Sequence, residues 1–147
     1  MPSHSSILLI DDSLGECELF RLALKHTGLD IALYTQHDAE AAFHFLEDRA
    51  RHSTLPQVIL LDLQLRGQHG RNLLKRLRGD ARLGHIPVVI FTTSDDASDI
   101  ATCYGEGANA YVVKPGTFEE LVRSTERICR FWLEINLTPA GAVSPSC

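Results

Sequence analysis

The chain has 147 residues, 44% hydrophobic and 22% charged, a balance that suits one globular domain and leaves no room for a second core. Its net charge of −5 argues against the phosphate attraction that nucleic-acid binders use, and no run of about 18 apolar residues is present to cross a bilayer. The polar start Met1–Ser6 leads at once into Ile7–Ile10 and two aspartates, without the long apolar stretch of a secretory signal, so the expected address is the cytoplasm, with no membrane or nucleic-acid partner.

In chain order, Ile7–Ile10 is a short apolar run that reads as a buried strand ending in Asp11 and Asp12. Ser13 leads into a helix over Gly15–Thr27, with Cys17, Phe20 and Leu24 at helical spacing and Gly28 as its stop. A second strand covers Ile31–Tyr34, and Asp38 caps a helix over Ala39–Arg51 with Ala42, Phe45 and Leu46 turned inward. Val58–Leu61 is the third strand and runs straight into Asp62. After the Arg66–Gly70 loop, Leu73, Leu74 and Leu77 mark a helix ending near Gly79.

Val88–Phe91 is the fourth strand and ends in the hydroxyls Thr92, Thr93 and Ser94. The cap-rich stretch Asp95–Ser98 starts a helix carrying Ile100, Ala101 and Tyr104, closed by Gly105 and Gly107. Ala110–Val113 is the fifth strand, ending in Lys114-Pro115. The last helix runs from Phe118 to about Phe131, with Leu121, Val122, Ile128 and Phe131 near one side. Strands alternating with helices predict an α/β fold, a doubly wound five-stranded parallel sheet with right-handed crossovers and helices on both faces.

Two features do not belong to that pattern. Arg66, Arg71, Lys75, Arg76, Arg78 and Arg82 crowd one segment, which reads either as a solvated helix face or as a docking surface for an acidic partner. Cys17, Cys103, Cys129 and Cys147 are scattered without CxxC spacing and read as reduced thiols.

In an open parallel sheet, ligands bind beyond the carboxyl ends of the strands. Collected there are Asp11, Asp12, Asp62, Thr92 and Lys114. Three converging carboxylates repel one another unless a cation joins them, and oxygen ligands with a few waters suit Mg2+. A carboxylate can act as a nucleophile and form an acyl phosphate, and a metal, an ammonium and a hydroxyl are the groups that the transfer of a phosphoryl group needs.

The stretches LLIDDS, VILLDLQL, Gly70 eight residues after Asp62, IPVVIFTT and GANAYVVKP occur in the order and spacing of the receiver domain of two-component response regulators, which the chain resembles over about residues 6–132. The resemblance implies a flavodoxin-like receiver fold with strand order 2-1-3-4-5. It implies that Asp62 accepts a phosphoryl group from a partner sensor histidine kinase, with Asp11, Asp12, Asp62 and the carbonyl of Gln64 around Mg2+. It further implies that Thr92, Thr93, Lys114 and Pro115 attend the phosphoryl group, through a cis Lys114-Pro115 bond, and that Tyr111 is the switch aromatic. Rotation of Tyr111 into space vacated by Thr92 would shift the face of the fourth helix, fifth strand and last helix.

Two positions depart from the family pattern: Arg66 stands where a proline is common, and Gly116 follows Lys114-Pro115 where an aromatic is usual. Neither removes a reactive group, but both bear on the lifetime of the phosphoryl group. The segment FWLEINLTP resembles the end of stand-alone receivers that serve bacterial phytochrome histidine kinases. With Phe131, Trp132, Leu133, Ile135 and Leu137 left apolar and Pro139, Gly141 and Pro145 beyond them, residues 133–147 read as a partly ordered extension that makes a homodimer contact.

The expected function is that of a single-domain phosphoacceptor, not a dedicated enzyme, with phosphorelay shuttle or phosphate sink as the alternative. A phosphatase with an aspartate nucleophile is a remote rival, because Gln64 stands where such enzymes carry a second acid. A flavin site is more remote still, because Asp11-Asp12 would repel its phosphate.

Overall fold

A computed structural model describes residues 5–65 and 68–139, with the backbone alone at 68. Arg66 and residues 140–147, for which a lifetime effect and a frayed end are expected, lie outside the described residues. The main sheet consists of β1 (Ser6–Ile10), β2 (Ala32–Gln36), β3 (Val58–Leu61), β4 (Val88–Thr92) and β5 (Ala110–Val113) in the order β2-β1-β3-β4-β5. Every pairing within it is parallel.

The central strands are apolar on both faces because each feeds two cores. Leu8 and Ile10 of β1, with Ile59 and Leu61 of β3, pack against α2 (Ala39–Arg51), α3 (Gly70–Arg78) and α4 (Ala97–Gly105). Their neighbours Ile7, Leu9, Val58 and Leu60 face the other way, onto α1 (Leu14–Thr27) and α5 (Phe118–Cys129). This is the period-2 alternation of a strand applied to a sheet covered on both sides. Phe20 of α1 meets Phe91 of β4 edge-on at 5.9 Å and ties that second layer together.

The helix starts follow the expected capping chemistry. Ser13, Asp38, Asp96 and Thr117 each accept a hydrogen bond from a backbone N–H in the first turn of α1, α2, α4 and α5. Gly28 closes α1 at φ +75°, a left-handed conformation that suits glycine.

Several inward faces differ from expectation. In α2, Phe43 is buried where Phe45 is half-exposed against Tyr34 and Arg49. In α4 the buried residue is Cys103, and Tyr104 is exposed. Cys17, Cys103 and Cys129 are buried free thiols, and burial pushes Cys17 up to about 11 and Cys129 to about 12.

The last helix does not end at Phe131. It widens into a π-helical turn over Arg130–Ile135, whose end is marked by Asn136 N–H donating to the Phe131 carbonyl five residues back, at 2.7 Å. Trp132 and Leu133 pack onto the α1–α5 layer. The extension therefore covers part of its own domain, and only Phe131, Ile135 and Leu137 (45%, 67% and 91% exposed) remain facing solvent from the expected dimer contact.

Candidate functional site

The carboxyl ends of β1, β3, β4 and β5 bring the expected residues to one edge. Asp62 is held there by the neighbouring strand β1, its N–H donating to the Ile10 carbonyl at 3.0 Å. The chain then turns through a short antiparallel hairpin, Gln64–Leu65 with Gln68–His69, before α3 begins. Gly70 makes the turn close. Its N–H donates to the Leu63 carbonyl at 2.7 Å, and a Cβ there would collide with the Asp62 carbonyl and stand 2.9 Å from Leu63 Cα.

Lys114 is the centre of charge. Its backbone N–H donates to the Thr92 carbonyl at 2.7 Å, and its side chain, 9% exposed, places Nζ 2.7 Å from Asp11 Oδ2 and 3.0 Å from Asp62 Oδ2. The expected cis bond is not found: no peptide among the described residues is cis, and Lys114-Pro115 is trans. The four-carbon stem spans the distance to Asp62 without it.

Each carboxylate also has a second hold. Asp11 Oδ1 accepts from Ser13 N–H at 2.9 Å, and Asp62 Oδ1 accepts from Gln64 N–H at 3.2 Å. Burial pushes the Asp11 carboxyl above its usual range, against the pull of Lys114. Burial pulls the Lys114 ammonium down, but the hydrogen bond to Asp11 and the charges of Asp62 and Asp11 outweigh it and leave the group above its ordinary value.

Asp12 stands next in the chain, half-exposed, and the side chains of Gln64 and Thr93 face solvent. Thr92 is buried, and among the described residues its hydroxyl has no hydrogen-bond partner. Tyr111 is half-buried, and its hydroxyl donates to the Ser94 carbonyl at 2.9 Å, so the ring is fastened to the β4–α4 loop. Gly116 borders a cavity of about 230 Å3 beside Lys114, lined also by Glu16, Phe20, Phe91 and Phe118, and a Cβ at Gly116 would meet no neighbour. Gly116 thus adjoins open space on the α1–α5 side of the site.

The expected metal donors, Asp11, Asp12, Asp62 and the Gln64 carbonyl, are all oxygens, the ligand type of a hard divalent cation. They fit such a cation in kind. In this arrangement Lys114 stands between Asp11 and Asp62, and among the described residues no group of three His, Cys, Asp or Glu side chains is placed to hold a metal ion.

Sequence reasoning missed Glu16, whose Oε1 lies 3.5 Å from Lys114 Nζ. Its place in Ser13-Leu14-Gly15-Glu16 marks it as a helix-start residue, and nothing local signals a reach to Lys114. The described cations of the basic segment around α3 lie on a partly exposed face and pair across it with carboxylates. Arg71 and Lys75 pair with Glu106, Arg76 with Glu40, and Arg82 with Glu47 and Asp80.

Comparison with known proteins identifies the family. The model of the response regulator receiver domain matches residues 7–126. Response regulator Rcp1 of Synechocystis sp. is 35% identical over 137 residues, 92% of this chain and 93% of Rcp1. The crystal structure of its Mn2+-bound form has a TM-score of 0.79 at 34% identity, covering 92% of this chain and 99% of that one. The phosphorylated cyanobacterial phytochrome response regulator RcpA reaches a TM-score of 0.83 at 30% identity, with 92% and 99% covered. The probable methanogenesis regulatory protein FilR2 of Methanothrix harundinacea is 34% identical over 137 residues, 92% of this chain and 88% of FilR2. No helix among the described residues is long and apolar enough to cross a membrane. With the family match running from β1 into α5 on the receiver topology, this chain belongs to the response regulator receiver domains.

Proposed function

We propose that this receiver works as a stand-alone phosphoacceptor in which Asp62 takes a phosphoryl group from a sensor histidine kinase in a Mg2+-dependent reaction. The observation that carries the reading is the Lys114 ammonium 3.0 Å from Asp62 Oδ2, beside the buried and unpartnered Thr92 hydroxyl. Asp62 Oδ attacks phosphorus, the bond from phosphorus to the kinase histidine nitrogen breaks, and the electron pair stays with the imidazole. Lys114 turns toward the phosphoryl oxygens, and Thr92 donates the hydrogen bond that it lacks at rest. Asp11, Asp12, Asp62 and the Gln64 carbonyl would hold Mg2+, which when bound would supply positive charge to those oxygens.

Once Thr92 is engaged, Tyr111 leaves Ser94 and rotates inward, changing the face formed by α4, β5 and α5. The output is contact with another protein, and no turnover beyond slow self-dephosphorylation is assigned. The likeness to RcpA and Rcp1 supports a phytochrome-type kinase as donor. The nearly equal likeness to FilR2 is the reason to test kinases without a photoreceptor as well. The exposed Phe131, Ile135 and Leu137 support a homodimer through α5 and its extension, and light scattering that gave only a monomer mass in both phosphorylation states would end that part of the reading.

A panel of sensor kinases with ATP and Mg2+ tests the donor. Label should move from one kinase to the wild type and not to Asp62→Asn; equal labelling of both proteins would contradict the assignment of Asp62. A shuttle or sink role would show as onward loss of that label to a histidine protein or back to the kinase.

A further inference from the structure

Glu16 has no task in the reaction proposed above. Ser13-Leu14-Gly15-Glu16 has the spacing of a capping box, in which the glutamate side chain turns back to the N-cap N–H. Half of the box forms, with Glu16 N–H donating to Ser13 Oγ at 3.1 Å. The other half is pre-empted because Ser13 N–H already donates to Asp11 Oδ1 at 2.9 Å. The freed carboxylate, 47% exposed, stands instead 3.5 Å from Lys114 Nζ and lines the same cavity.

A lysine ammonium has three N–H donors, and Lys114 faces three carboxylates, Asp11 at 2.7 Å, Asp62 at 3.0 Å and Glu16 at 3.5 Å. Asp11 and Asp62 both take part in the transfer; Glu16 does not. When a phosphoryl group reaches Asp62, Lys114 must turn from Asp62 Oδ2 to the phosphoryl oxygens, and Glu16 competes for it. We propose that Glu16 is a positioning residue that tethers Lys114 on the α1 side and thereby slows phosphoryl capture by Asp62. This role rests on Asp62 being the phosphoacceptor.

The test is the initial rate of labelling by acetyl phosphate with Mg2+ for the wild type, Glu16→Gln, Glu16→Asp and Asp62→Asn. In that reaction Asp62 Oδ bonds to phosphorus, the bond from phosphorus to the acetate oxygen breaks, and acetate leaves with the electron pair. Glu16→Gln removes the charge, whereas Glu16→Asp keeps it but withdraws it by one methylene from an ammonium already 3.5 Å away. Both should label faster than wild type by roughly twofold to fivefold, the range over which a half-exposed ion pair acts.

Acceleration in Glu16→Gln alone would trace the effect to repulsion of the incoming anion and overturn the tether. Equal or slower rates in both variants would overturn it too. A variant that folded poorly would label more slowly, so damage to the fold cannot imitate the expected result. An unlabelled wild type, matching Asp62→Asn, would remove the phosphoacceptor reading and the tether with it, whereas a labelled wild type with unaltered variants would remove the tether alone.

Discussion

Two charged regions of this protein use their charges in opposite ways. Around α3 the cations have fixed partners on other elements: Arg71 reaches Glu106 at 2.9 Å, Arg76 reaches Glu40 at 2.6 Å while lying 3.8 Å over the Phe43 ring, and Arg82 reaches Glu47. Arg78 goes furthest. Its guanidinium donates to the carbonyls of Gly107, Gly84 and Ile86 and to Asn109 Oδ1, joining the loops that lead into β4 and β5. At the strand ends one ammonium faces three carboxylates, and the buried Thr92 hydroxyl has no partner among the described residues. The first region uses its charges to hold helices together; the second keeps an excess of acid and an unmet donor at the price of stability. Such a conflict between local rules and function is where a binding site is expected.

That contrast can be broken by substitution, starting with the largest effect. Arg78→Met keeps the aliphatic stem but leaves several carbonyls without donors, and should lower unfolding stability by about 3 kcal/mol in urea titration. A loss below about 1 kcal/mol would mean that the α3 charges are not structural. Asp62→Asn should behave differently. Removing one carboxylate from the crowded edge leaves Lys114 with Asp11 and Glu16, so stability should stay level or rise by up to about 1 kcal/mol. A marked loss in the same titration would show that the strand-end charges also serve the fold.

The smallest effect is one of pH. The hydrogen bond from Arg71 holds the Glu106 carboxyl below the usual glutamate range. Its folded-state pKa therefore lies below the unfolded one, and the pair contributes stability that is present above the ordinary glutamate pKa and lost as pH falls through the depressed value. Wild type should be more stable than Glu106→Gln at neutral pH, with the gap closing in acid. A gap that stayed constant across pH would exclude this ionisation as its cause.

Most of the fold was legible because buried parallel strands are short apolar runs bounded by punctuation, and Ile7–Ile10, Val58–Leu61 and Val88–Phe91 all have that form. The site followed from them, since only residues just past those runs could share an edge. What escaped depended on distance in the chain. The partners of the α3 cations, Glu40, Glu47 and Glu106, sit on or beside other helices. Glu16 carried the signature of a helix start, and its turn toward Lys114 depends on Asp11 having taken the Ser13 N–H. The hairpin at Gln64–His69 has two residues per strand, too few to show a period. The π turn at Arg130–Ile135 keeps a helical pattern, so its widening leaves no mark in the sequence. The trans Lys114-Pro115 bond corrects an expectation carried over from the family, because side-chain length alone satisfies the contact that the cis bond was expected to provide.

The most direct measurement is to treat the protein with acetyl phosphate and Mg2+, trap the acyl phosphate by borohydride reduction, and locate the reduced residue by tandem mass spectrometry. A single reduced position is expected at Asp62, lost when Mg2+ is chelated. Reduction at Asp11, Asp12 or another carboxylate, or trapping at Asp62 that persists without a divalent cation, would contradict it.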